Sequence, residues 1–418
     1  MNYYIIPKNN FNIHINLQLT NEKIKPYLSY SLIFYLNDVY SQLFKLEDNL
    51  NVSDSEVTLE YINKIVNPFE FIHTNVPGSV ISVSKVKPES SIFFELMEVF
   101  QLLNMNDTFS LKNKINIAHL TPNNASTNYL LNMIREDKDD NILCEDFNFE
   151  RLYNMFITNN YENKLDLIIC EFEAHEYINT KKYITNMLLV LMIVIKYQTN
   201  QGTCVIKIDN IFYKSIIDIL FILSALYDKI YLVKPIISNV TKGERYVICK
   251  SFNSGILDKS NLSNQINEKI IKSAINTNSL NNISVSSLID NEIPYYFLNK
   301  LEESNAVIGQ QQLEAYDQII NIYKNKNRDE KMENLKRNHI QKCIQWCEKN
   351  QLPHNKFIDK VNIFLTPKKK ELTEELTEEL TQELNLELDV NLDLDVNLDV
   401  NLDLDLDLDL DLEIQMNS

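Results

Sequence analysis

Long apolar runs are missing from this 418-residue chain. The longest, Met187 to Ile195, is far short of the roughly 18–20 residues that a membrane span needs. The opening "MNYYIIPKNN" lacks the basic stretch and sustained apolar core of a secretory signal. A cysteine framework is missing too. Four of the six cysteines, Cys144, Cys170, Cys204 and Cys249, lie in or beside apolar β-like runs, as small buried thiols do. These absences exclude a disulfide scaffold and predict a soluble protein of a reducing, cytoplasmic compartment with no membrane partner. Glycine is scarce, with five residues, while Asn, Ile and Lys are heavily used. That bias carries no functional weight by itself.

Basic residues are absent from one end. The formal charge is −18, but from Glu371 onward there are 17 Asp and Glu and no Lys or Arg, so the preceding 370 residues carry a net charge of −1. A nearly neutral body permits a basic groove without demanding one, so charge neither establishes nor excludes nucleic-acid binding. The 44% apolar and 10% aromatic content is that of a folded chain.

The body divides by pattern. Residues 1–80 mix short β-like pieces with a helical spacing in "PYLSYSLIFYLNDVYSQLFKL". Residues 81–253 alternate helices with short apolar strands: "KINIAHL", "LDLIICEF", "GTCVIKI", "KIYLVKP" and "RYVICKSF" are the strands, and "SSIFFELMEVFQLLN", "STNYLLNMI", "TKKYITNMLLVLMIVIKYQTN" and "FYKSIIDILFILSALY" the helices. Apolar strands separated by helices predict an α/β fold with a mainly parallel, Rossmann-like sheet covered on both faces. The last two strands, joined only by a loop, predict an antiparallel strand closing that sheet. Residues 254–366 read as a helical appendage. Residues 367–418, "ELTEELTEELTQEL" and then Leu-Asp alternation, have no aromatic residue and predict a disordered acidic tail.

Ligands of parallel α/β sheets bind outside the carboxyl ends of the strands. Lys207 ends "GTCVIKI", Glu171 follows Leu167 to Cys170, and Glu244 begins the closing strand. Antiparallel neighbours place the start of one strand beside the end of the other, so the three are expected at one rim. Strand-end charges more often face solvent, and the matching positions of these three weigh against that alternative.

The runs "KLDLIICEFE", "GTCVIKIDN" and "KIYLVKPIISNVTKGERYVICKSF" resemble the FtsJ-type (RrmJ-like) ribose 2′-O-methyltransferases, a family that includes cap-modifying enzymes of large DNA viruses. The resemblance covers about residues 89–253. The family's V-x-K strand and its K-P-x-x-S-R-x-x-x-S-E-x-Y-x-V segment fall on Lys207, Lys234, Pro235, Ser238, Glu244 and Tyr246. The resemblance implies S-adenosylmethionine as cofactor and RNA as partner, with viral mRNA cap-proximal nucleotides as one substrate and a virion or viral factory as one location. It also implies Lys207 as the base that takes the ribose proton, with acidic partners to orient it. A lysine does this only when partly neutral.

Four departures follow. Glu95 stands where the family has its first Lys, and Ser91 where it has an Arg. The catalytic Asp becomes Glu171. The cofactor loop reads "IAHLTPNNA", keeping Pro122 while Asn123 and Asn124 replace two glycines; Asn tolerates the left-handed backbone better than other residues. The segment from Pro122 to "CED", whose Asp146 matches the adenine-side acidic position, is short and leaves little room for a complete ribose-binding strand and helix. A carboxylate in place of a cation raises the pKa of Lys207, and Lys85 or Lys87 could supply the missing charge. Two readings stay open: an active methyltransferase with catalytic Lys207, Glu244, Glu171 and Glu95 and cofactor residues Pro122, Asn123, Asn124 and Asp146, or a non-catalytic relative serving as an RNA-binding or assembly subunit through its helical appendage or acidic tail.

Weaker signals remain. His339, Cys343 and Cys347 at i, i+4 and i+8 span about 12 Å of helix axis, too far for one metal, so no metal site is predicted. His119 and His175 flank the proposed rim and read as surface or hydrogen-bonded histidines. The Tyr and Phe near the N-terminus lack interleaved basic residues and read as core.

Overall fold

The computed structural model describes residues 2–10, 13–52, 59–102, 104, 113–135, 139–158, 164–172, 179–255, 284–324, 329–355 and 357. The described residues belong to one compact unit within Met1–Val361. The acidic tail and His175 lie outside the described residues.

Seven strands form the central sheet: β1 (Asn2–Ile6), β3 (Asn116–Leu120), β4 (Asn141–Glu145), β5 (Leu165–Cys170), β6 (Gln198–Ile208), β7 (Tyr227–Lys234) and β8 (Arg245–Phe252). Their order is β1-β7-β8-β6-β5-β3-β4. The β4, β3, β5 and β6 ladders are parallel, and β8 is antiparallel to both β6 and β7. Five strands therefore run one way and β8 and β1 the other, a mostly one-directional α/β sheet of Rossmann-like type. The antiparallel strand expected to close the sheet lies inside it, between β6 and β7. The edge is β1, whose Asn2 pairs with Lys234 and Ile6 with Ile230.

Strand parity divides the core. On β6, Cys204, Ile206 and Ile208 join one apolar cluster and Val205 the other; on β8, Val247 and Cys249 oppose Tyr246 and Ile248. The first face is covered by α6 (Thr180–Tyr197) and α7 (Lys214–Leu226), the second by α3 (Ile92–Leu102), α4 (Asn124–Arg135) and α9 (Asp329–Lys349). With both faces buried, strands need no polar side, which is why they read as unbroken apolar runs. The run from Met187 to Ile195 has a related cause. A second, two-stranded sheet, β2 (Ile15–Thr20) with β9 (Ser284–Ile289), packs over α6 and α7 and buries their outer faces. A helix covered all round is apolar all round. Among the described residues no helix is long and apolar enough to cross a membrane.

Several elements depart from expectation. The strand β4 forms within "NILCE" and completes a β3-α4-β4 unit in the segment that reads as short, after which, among the described residues, come α5 (Phe149–Leu152) and a wide helical turn before β5. The strand β9 interrupts a region expected to be helical. The helix α6 ends at Tyr197, and β6 starts at once, with Gln201 at φ 64° turning the chain into the apolar run. The long α8 (Tyr295–Lys324) packs with α1 (Tyr30–Val52) and α2 (Leu59–Val66) through Leu36, Ile62, Val66, Ala315, Tyr316 and Ile319.

Candidate active site

Lys207, Glu171 and Glu244 share the parity that faces α3, because Val205, Ile169 and Tyr246 point that way. The α3 helix begins at Ile92, and its first turn carries Glu95 inward. The result is one ion cluster drawn from four separate segments. Lys207 Nζ lies 3.2 Å from Glu95 Oε2, 3.2 Å from Glu171 Oε1 and 3.2 Å from Glu244 Oε2. Exposure is graded: the side chains of Lys207, Glu95 and Glu171 are 9%, 6% and 9% exposed, and that of Glu244 is 18%. Glu244 forms the wetter wall.

Each carboxylate has further partners. Tyr246 donates its hydroxyl to Glu95 Oε2 at 2.7 Å, and Ser91 Oγ lies 3.5 Å from Glu95 Oε1. Thr121 Oγ1 and Asn123 Nδ2 donate to Glu171 Oε2 at 3.2 and 3.0 Å. The remaining oxygen of Glu244 lies 3.3 Å from Lys242 Nζ. Buried charges are tolerated when so paired. Burial alone would lower the pKa of Lys207, but Glu95, Tyr246, Glu171 and Glu244 outweigh it and raise it well above the usual lysine value. Burial would raise the Glu244 pKa, yet Lys207 and Lys242 hold it below the usual range. Lys234, one strand away, falls to about 8 through burial and repulsion from Arg245.

The residues expected to hold a cofactor lie at the ends of β3 and β4. Pro122 is exposed, Asn123 and Asn124 are half-buried, and Asn124 opens α4. Neither asparagine has positive φ, so the left-handed tolerance expected of them is unused. Asn123 N donates to Thr121 Oγ1 at 2.8 Å, and Asn124 Nδ2 donates to the exposed Asp146 at 3.3 Å. Asn124 Oδ1 is buried with no partner among the described residues. An unpaired acceptor at a helix start, an exposed acidic side chain after β4 and the Glu171 side chain at the end of β5 suit an adenosine carrying a sulfonium. The residues present fit S-adenosylmethionine, although the Asn123 side chain occupies backbone-approach space that glycine would leave open.

Two sequence readings change. Lys87 donates to the Ser82 hydroxyl, and the cation nearest the cluster's carboxylates after Lys207 is Lys242, whose only local signal is the i, i+2 spacing to Glu244. Tyr27, Tyr30, Phe34, Tyr35, Tyr40 and Phe44, expected in the core, are exposed on and before α1, since the packed stripe of that helix is Leu32, Leu36, Val39 and Leu43. His119 is fully buried: its Nδ1 lies 3.2 Å from Thr127 Oγ1, and burial lowers its pKa to about 4. On α9, Cys343 and Cys347 join the core beside Trp346, and His339 is buried.

No protein-family model and no curated protein matches the chain. Among solved structures it is similar to a Plasmodium falciparum protein described as a ribosomal RNA methyltransferase, with 13% identity, a TM-score of 0.30, and coverage of 39% of this chain and 97% of that one.

Proposed function

We propose that the chain is an S-adenosylmethionine-dependent RNA ribose 2′-O-methyltransferase whose reaction centre is the Lys207 cluster, with cap-proximal nucleotides as the substrate class. The observation that supports this is the meeting of Glu95, Glu171 and Glu244 on one amine at 3.2 Å each, at the carboxyl rim of the sheet. When bound, the cofactor supplies an electrophilic methyl group on sulfur. Glu171, Asn124 and Asp146 would hold it. The chain's own task is the proton: neutral Lys207 takes it from the 2′-hydroxyl as the oxygen gains the methyl, and the ammonium so formed is stabilised by three carboxylates. Because those carboxylates also raise the resting pKa, the neutral amine is scarce at pH 7 and the rate should climb with pH.

A second reading has its own observation. Glu95 is satisfied by both Lys207 and Tyr246, so the cluster is stable as a closed ion network. A non-catalytic RNA-binding or assembly subunit would need no more. Calorimetric titration with S-adenosylmethionine, then transfer of a labelled methyl to capped RNA at pH 7 and pH 9.5, separates the two. Binding with transfer that rises with pH and is lost in Lys207→Met supports the enzyme; no heat at millimolar cofactor leaves the subunit.

A further inference from the structure

Glu244 stands at the end of the loop 235–244, between β7 and β8. That loop is tied from three directions. At its start, Glu98 of α3 accepts from Ile236 N at 3.1 Å and Ile237 N at 3.4 Å. From within, Lys234 Nζ donates to the carbonyls of Asn239, Lys242 and Glu244 at 3.2, 2.7 and 3.2 Å. The third set comes from α8, outside the segment that resembles methyltransferases. Gln312 Nε2 and Tyr316 OH both donate to Thr241 O, at 3.1 and 2.5 Å. Buried Arg245 reaches Ser304 Oγ at 3.1 Å and Asn305 Oδ1 at 3.0 Å while its Nε donates to Gly243 O at 3.2 Å.

The contacts bracket Glu244 on both sides, at 241, 243 and 245. A β-carbon at Gly243 would come within 3.2 Å of Asp209 Oδ1 and 3.4 Å of Gln312 Oε1, so loop and helix are in close approach there. A loop residue that must hold a carboxylate within hydrogen-bonding range of a buried amine needs its backbone fixed, and local turn bonds alone leave loops mobile. The carbonyl of Thr241 could be satisfied by water at a surface. Here two buried side chains of one helix satisfy it instead, and Tyr316 is itself held by Tyr40 OH at 3.1 Å.

We infer that α8 is part of the reaction centre, with Gln312 and Tyr316 as positioning residues that hold Glu244 against Lys207. This inference rests on the ribose-methylation reading for its kinetic consequence, but its geometric content can be tested without turnover. Loosening the loop removes one carboxylate from Lys207, which lowers its pKa and makes the amine more reactive.

The test compares the full-length parent with Tyr316→Phe, the double variant Gln312→Leu/Tyr316→Phe, the benchmark Glu244→Gln and the control Asp317→Asn on the exposed side of α8. Lys207 labelling by reductive methylation at pH 9 is read by mass spectrometry, beside the pH profile of methyl transfer to capped RNA. The double variant should label Lys207 at least about threefold faster than parent, as Glu244→Gln does, and its rate profile should shift to lower pH. Labelling and profile equal to those of the control in a folded double variant would overturn the inference. Should the double variant fail to fold, Tyr316→Phe, which loses only a hydroxyl, decides by the same two outcomes. Should the parent transfer no methyl at all, the ribose reading falls, while the labelling comparison still decides the role of α8.

Discussion

Glu95 Oε2 accepts the Tyr246 hydroxyl at 2.7 Å while lying 3.2 Å from Lys207 Nζ. One carboxylate oxygen thus links the amine to a fully buried phenol, at the position where a cation would have repelled that amine.

Removing this charge should release activity. Glu95→Gln keeps an acceptor for Tyr246 but takes one anion from Lys207, so the lysine pKa falls and more of the amine is neutral at pH 7. Initial rates of methyl transfer at that pH should rise on the order of tenfold, and the alkaline limb should move to lower pH. A profile that stays in place would mean that Lys207 protonation does not control the reaction.

The same cluster should dominate the stability of the sheet's rim. Lys207→Met leaves the buried Glu95 and Glu171 without their cation and Glu244 with Lys242 alone, and breaking a buried pair costs about 3–5 kcal/mol. Urea unfolding should show that loss, and the loss should shrink in a Glu95→Gln/Glu171→Gln/Glu244→Gln background. The raised Lys207 pKa works in the same direction. Its stabilisation is fully present below the unfolded lysine value and is lost only as pH rises through the folded one.

Acid should act through two histidines. His119 and His339 are both buried, and burial lowers each pKa from 6.5 to about 4. A depressed histidine contributes stability that is complete above the unfolded pKa and is lost as pH falls towards the folded one, at most on the order of 3 kcal/mol each. Buried Glu98 and Asp218 and half-buried Asp209 have raised pKa values and oppose this trend. The histidine contribution is therefore isolated by difference: the stability lost between pH 7.5 and pH 5 should be smaller in His119→Gln than in the parent. Equal losses would show that His119 takes up no proton on unfolding in this window.

Much of the cluster is legible because its signals are local. Lys207 and Glu171 end apolar strands, Glu244 precedes one, and strand parity sends all three to the same face. Glu95 is legible through its place in a helix that resembles a family pattern. What sequence does not announce is non-local. Gln312 and Tyr316 reach Thr241 across more than 70 residues, and no spacing foretells such a bond. The strands β4 and β9 escape for a different reason, and β1 is legible only as one of several short β-like pieces. They are short, and β1 and β4 place exposed residues such as Tyr3, Ile5 and Ile142 at the sheet edges, which blurs the apolar pattern.

Close helix packing beneath the loop should be sensitive to a single methyl. A β-carbon at Gly309 would overlap the Leu32 methyl groups, so Gly309→Ala should push the Leu32 side chain out of its rotamer at about 0.5–1.5 kcal/mol. Combining it with Leu32→Ala should cost less than the sum of the two single changes, measured by urea unfolding.

The pairing of Ile15 with Ile289 and of Asn2 with Lys234 governs when this chain can finish folding. Both strands leave the ribosome before their partners, which follow hundreds of residues later. At about 5–20 residues per second that wait is on the order of tens of seconds. Through that interval β1 and β2 have no partner, and until β9 emerges the outer faces of α6 and α7 have no cover. An apolar surface of this kind favours chaperone capture over spontaneous closure. Yield in a cell-free system should therefore depend on chaperone supply more than on temperature.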